Sequence, residues 1–171
     1  MITDPRAFSE EKLTPPRPLP HVSRKVLAKV KYPQPIPKTC HLCGGDVILV
    51  DNSVVYRYSF GNWHYVYMCR SCRAYVGLHG HTDIPLGTLA NATTRRRRKE
   101  VHEVARHLRD YTGLTLEQCR ELVASKLSIS YAEAATACLD HHQCDTVINM
   151  FKDTLKSMKA RAKQLDEDQN P

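Results

Sequence analysis

The stretch CHLCGG at residues 40–45 is answered by CRSCRAY at residues 69–75. Cys40 and Cys43 form one CxxC hook, and Cys69 and Cys72 form a second. One hook offers two thiolates; two hooks complete the four-sulfur tetrahedral set of a closed structural zinc site. Gly44-Gly45 lets the backbone turn tightly behind the first hook. The metal reading is therefore one structural Zn2+ on Cys40, Cys43, Cys69 and Cys72. The competing reading is two disulfides or free thiols. The sequence opens without an apolar signal segment, so a reducing cytoplasmic compartment is expected, where thiols favour metal.

Between the hooks, Val47–Val50, Val54–Phe60 and Trp63–Cys69 read as strands, being β-branched and aromatic with turn residues between them. Gly61-Asn62 has the signature of a two-residue hairpin. That register would pair Phe60 with Trp63, Tyr58 with Tyr65, Tyr56 with Tyr67 and Val54 with Cys69. All six aromatic residues would then share one face. The face is either a core or a stacking platform for unpaired bases; core is favoured, because a small ribbon has little else to bury.

The chain has 171 residues and a formal charge of +7. Residues 1–38 carry +5 (8 basic, 3 acidic), 39–92 carry 0, 93–113 carry +4 (7 and 3) and 114–171 carry −2 (7 and 9). Such a distribution points to phosphate-rich partners, DNA or RNA. No apolar run approaches the ~18 residues of a membrane span, so no membrane partner is expected.

The expected fold class is α+β: a small four-cysteine zinc β-ribbon followed by a basic helix and a C-terminal helical module. Residues 1–38 hold eight of the ten prolines and read as a basic arm, extended or flexible, with Val26–Val30 as one edge strand at most. Residues 39–113 are the zinc ribbon with its trailing helix, where Tyr75–Gly77 completes the second hook as a short strand. Residues 114–165 form about three helices, near 116–127, 131–140 and 142–164; residues 166–171 form a disordered tail.

In the helix after Thr93-Thr94, Val101, Val104, Ala105 and Leu108 recur at helical spacing as a buried stripe. Arg95, Arg96, Arg97, Arg98 and Lys99 crowd its first turns. Positive charge there opposes the helix dipole, which suggests an external anion such as nucleic-acid phosphate. Further on, Leu116, Cys119, Leu122, Val123 and Leu127 line one side of a helix, and Val147, Ile148, Phe151 and Leu155 line another. Thr115/Gln118 and Ser130/Glu133 have the spacing of capping boxes.

Two further clusters invite metal chemistry. His79, His81 and Asp83, with His102 as a further ligand or base, would suit a metal-dependent nuclease. Against this, His79 and Asp83 can simply hold their loop by hydrogen bonds. Cys119, Cys138 and Cys144 with His141 and His142 are the other cluster, though helical spacing favours core thiols.

CHLCGG at 40–45, CRSCRAYVGLHGHT at 69–82, PLGTLAN at 85–91 and Arg98 with His102 together resemble the zinc-finger-containing domain of phage and prophage proteins. The resemblance spans residues 40–102 and departs at His41, which replaces the usual proline, and at His81, near the usual glycine. It implies a zinc β-ribbon of viral or prophage origin, in the host cytoplasm, but no assigned activity. Zinc-ligand roles carry over to Cys40, Cys43, Cys69 and Cys72. His79, Thr82, Arg98 and His102 carry over as motif positions without a role. Three functions follow as expectations: non-enzymatic nucleic-acid binding through the arm and the arginine-rich helix, a module that binds and modulates a host enzyme, and a metal-dependent nuclease.

Overall fold

The computed structural model describes residues 2–168, with side chains to residue 165. The class is α+β, and the chain divides into two units, Met1–Ala92 and Thr93–Pro171. The basic helix thus belongs with the C-terminal helices, whereas the sequence reading places it with the ribbon.

In the first unit, a helical turn α1 (Arg24–Leu27) precedes strand β1 (Val47–Asp51), helical turn α2 (Ser53–Tyr56), and strands β2 (Tyr65–Cys69) and β3 (Tyr75–Gly77). The sheet is antiparallel in the order β1-β2-β3. Val47 pairs with Cys69 and Asp51 with Tyr65. The expected hairpin at Gly61-Asn62 is absent, and Val54–Phe60 is not a strand. The hooks decide this. Pairing Val54 with Cys69 would shift the first hook seven residues along its partner, about 24 Å at strand rise. Pairing Val47 with Cys69 keeps the hooks side by side.

The intervening residues close into a loop instead. Asp51 Oδ1 accepts from Ser53 N–H at 2.8 Å, starting α2, and Arg57 ends it in the left-handed region at φ 69°. The buried Asn52 amide clamps the far end, donating to Phe60 O at 2.8 Å and accepting from Phe60 N–H at 3.0 Å. This splits the aromatic set. Trp63, Tyr65 and Tyr67 pack in the core with Leu19, Val76, Leu78 and Leu89, while Tyr56, Tyr58 and Phe60 face solvent.

The N-terminal segment is no flexible arm. Leu27 is fully buried with Val30 and Ile84, and Leu19 joins the ribbon core. Val26–Val30 contributes to a helical turn and the turn after it, not to an edge strand. Arg24 acts as a hub, donating to the carbonyls of Arg6, Ser9 and Glu11. Proline removes backbone donors, so the segment holds its shape through such side-chain links and apolar contacts rather than through a sheet.

The second unit contains α3 (Ala92–Thr112), α4 (Leu116–Leu127) and α5 (His141–Asp168). Val101, Val104 and Leu108 meet Cys119, Val123, Cys144, Val147, Ile148 and Phe151 in one core. The Thr115/Gln118 capping box forms. The Ser130/Glu133 box also forms, but the helix expected at 131–140 stops after one turn and continues as tighter turns. Arg120 takes the Tyr131 and Ala132 carbonyls at 2.7 and 2.9 Å, and Arg98 takes the Leu139 carbonyl at 2.8 Å. Held by these guanidinium groups, the segment becomes a strap that buries Ala134 and Leu139. Asp140 and Gln143 then cap α5 reciprocally at 2.8 and 2.9 Å. Leu116 and Leu122, expected in the core, are exposed. Helix α5 continues to Asp168 through the start of the expected disordered tail; residues 169–171 of that tail lie outside the described residues.

Candidate metal centre

The two hooks are built alike. In the first, Gly44 N–H donates to Cys40 O at 2.8 Å and Cys40 N–H to Gly45 O at 2.8 Å; in the second, Arg73 N–H donates to Cys69 O at 3.1 Å and Cys69 N–H to Ala74 O at 2.8 Å. The residue after each second cysteine is left-handed: Gly44 at φ 73° and Arg73 at φ 61°. Glycine at position 44 adopts this freely; arginine at 73 is held there by its hook. Gly45 is required for a second reason. A Cβ there would meet Ser71 Oγ at 2.5 Å and Cys69 Sγ at 3.2 Å, so only glycine lets the hooks close on each other.

The four sulfurs lie within 4.8 Å of one another, with Cys40 and Cys69 buried and Cys43 and Cys72 exposed. Cys40 Sγ is 3.6 Å from Cys72 Sγ, and Cys43 Sγ is 3.4 Å from Cys69 Sγ. A tetrahedron with Zn–S of ~2.3 Å has S–S edges of about 3.8 Å, close to these values. A disulfide needs about 2.05 Å, so the pairs are not bonded to each other. Cys72 N–H donates to Cys69 Sγ at 3.5 Å. This bond, with others from the turn and from Cys43, outweighs the burial that opposes it and draws the Cys69 thiol down to about 6, while the Cys43 and Cys72 thiols beside it are raised, so the site holds its first negative charge on Cys69. The four thiolates fit one zinc ion, which would clamp the two hooks together.

The family model of a zinc-finger-containing domain matches residues 36–154, well over half of the 171-residue chain. The chain belongs to that family. No curated protein and no solved structure matches it. The match runs past the motif stretch 40–102 into α5, so this zinc-finger-containing domain includes most of the helical unit as well as the hooks.

The other metal clusters are not assembled. Among the described residues, the four hook cysteines are the one group of three or more His, Cys, Asp or Glu able to hold a metal. Asp83 is 2% exposed and receives both Arg6 guanidinium nitrogens, at 2.7 and 2.8 Å. Arg6 also binds Asp4, whose carboxyl it holds below the usual carboxylate range. The Asp83 carbonyl accepts from Tyr67 Oη at 2.8 Å, and the Thr82 carbonyl from Trp63 Nε1 at 2.9 Å. The HGHTD stretch is therefore a braced turn. His79 supplies its carbonyl to Thr82, and burial pulls its imidazole below the ordinary value. His81 is exposed, with Nδ1 3.1 Å from His21 Nε2. His102 lies on α3 in the second unit; the same unit holds Cys119 on α4 and Cys144 on α5, both in its core, and Cys138 between these helices, half-buried. Among the described residues of the first unit, His79, His81 and Asp83 form no metal-holding group.

Nothing in the sequence marks Arg6 as the partner of Asp83, because a charge in a proline-rich segment carries no periodic signal. Arg6→Ala leaves a buried carboxylate without its cation. Breaking a fully buried pair costs ~3–5 kcal/mol. The Arg6 side chain is 38% exposed, so solvent screens part of this, and a loss of about 2 kcal/mol is expected. Urea unfolding followed by Trp63 emission measures it, and a change under ~0.5 kcal/mol contradicts the bracing role.

The arginine run also divides. Arg97 pairs with Glu100 and Asp145, both at 2.9 Å, and Arg98 holds the strap. Arg96 and Lys99 are exposed.

Proposed function

We propose that this zinc-finger-containing protein binds nucleic acid without acting as an enzyme, and that the phage or prophage origin implied by its motifs is part of this reading. The observation that carries it is a surplus of outward cations. Among the described residues of the first unit, nine exposed Lys or Arg stand against three exposed Asp or Glu. Arg96 and Lys99 extend the same character on α3. The first unit's cations sit on a scaffold that zinc would hold rigid, so little ordering cost attends phosphate binding there. Arg97 and Arg98 brace the helical unit, so the phosphate contacts are assigned to Arg96, Lys99 and the first unit's lysines and arginines rather than to the whole run.

Fluorescence anisotropy with labelled oligonucleotides between 50 and 200 mM salt, roughly the range over which counterion release is read, tests the proposal. Affinity should fall steeply with salt. Arg96→Gln with Lys99→Gln should flatten the log–log slope by about 0.7 per lost contact on single strands, or about 0.9 on duplex. Absence of binding at the lowest salt, or binding indifferent to salt, would contradict it.

A further inference from the structure

We infer that Tyr56, Tyr58 and Phe60 form a stacking surface for unpaired nucleobases, so that the preferred ligand is single-stranded nucleic acid. This rests on the nucleic-acid reading above and narrows it. The three rings are 41%, 65% and 62% exposed and lie outside the unit's core clusters. Tyr58 lies between the other two in the loop, and those two are in ring contact. Tyr56 meets Phe60 edge-on at 6.1 Å and Tyr75 at 5.8 Å, and the Tyr75 and Tyr56 hydroxyls are 3.2 Å apart.

The backbone of the loop that carries them is held at both ends by Asn52 and Asp51. Every base has a π-face, and stacking on such rings is tolerant of sequence.

Charge selects nucleic acid over an apolar protein face. Arg57 lies between two of the rings in sequence, and Arg73 donates to Val54 O at 2.9 Å; both are exposed, as is Arg70 within the second hook. The nearby carboxylate, Asp51, already accepts from Ser53 and Ser59 and lies 3.4 Å from His64. Asp46, exposed, adjoins Arg70 through a backbone bond. Aromatic faces flanked by arginines suit bases joined by phosphates. In a duplex the bases are already stacked and paired, so the rings have nothing to accept.

The test compares zinc-loaded full-length protein with Tyr58→Ala/Phe60→Ala. Each is titrated into fluorescein-labelled oligo(dT) of about 20 nucleotides, longer than the ~4–16 a comparable single-strand fold occupies. A duplex of equal length is titrated in parallel. The variant should bind the single strand at least ~10-fold more weakly, with the salt slope and duplex affinity unchanged, and Tyr58→Trp/Phe60→Trp should restore binding. Zinc content and Trp63 emission in the alanine variant report that the fold is intact. If wild-type protein binds the single strand with salt dependence and the alanine variant binds it equally well, the stacking surface is refuted while the nucleic-acid reading stands. Equal losses on single strand and duplex refute it too. If wild-type protein binds neither, both readings fail together.

Discussion

Cys69→Ser should abolish the fold of the first unit while leaving the helical unit's far-ultraviolet signal largely in place. Structural zinc binding contributes an apparent ~10–16 kcal/mol in small zinc domains, whereas an entire domain is stable by only ~5–15 kcal/mol. A three-stranded sheet with a proline-rich wrap has no comparable source of stability. Cys69 is the ligand to change because it is fully buried and stands in β2 opposite Val47, so the site and the register fail together. Trp63, the chain's one tryptophan, contacts the ribbon core and donates to Thr82 O at 2.9 Å. Its emission therefore reports on this unit, whereas α3, α4 and α5 dominate the signal at 222 nm. Elemental analysis should fall from one zinc per chain to none, with a red shift of Trp63 emission. A zinc-free protein with unchanged emission and an unchanged urea midpoint would show that the metal does not hold the ribbon.

Phe151→Ala should cost the helical unit about 3–5 kcal/mol, the range for truncating a buried aromatic side chain. Phe151 is 1% exposed on α5 and packs in the core shared with α3 and α4. At ~0.05–0.15 kcal/mol per residue, a unit of about 80 residues has about 4–12 kcal/mol in all, so the variant should be mostly unfolded at moderate urea. Leu116→Ala is the contrasting change. Leu116 falls on the apolar stripe of α4 yet is 59% exposed, so its truncation should cost under ~0.5 kcal/mol. Urea titrations at 222 nm compare the two. Similar losses at both positions would mean that α4 is rotated from the orientation described.

Leu116 and Leu122 illustrate where local pattern stops being informative. Spacing marks every apolar residue within reach of a stripe, but only the partner helices define how wide the buried strip is. Val101, Val104, Leu108, Val147, Ile148 and Phe151 are legible because each recurs at helical spacing and lies well inside that strip. The segment at 131–140 carries a helix signal with a sound capping box, and the box forms. Arg120 claims the Tyr131 and Ala132 carbonyls, Arg98 holds the Leu139 carbonyl from 41 residues away, and no local pattern announces either link.

The aromatic residues between the hooks show the same limit. Alternation makes one six-residue face plausible, but alternation constrains which residues share a face only after the register is known. The hooks override the turn signal at Gly61-Asn62, leaving three rings inside and three outside. In the N-terminal segment, composition indicates an extended chain without interior helix. It is silent on Leu19, Leu27 and Arg6, whose roles depend on the ribbon core, Ile84 and Asp83, all distant in the chain.

The four thiolates, the α+β class and the long helices are legible in residue order alone, because each rests on short-range chemistry: ligand spacing, residue type and periodicity. The strand register, the packing of the proline-rich segment, the division of the arginine run and the choice of aromatic rings that reach solvent emerge from the folded chain. Those depend on contacts between residues distant in the chain, whose free energies are settled when the hooks close and the helices pack, and local pattern carries no record of them.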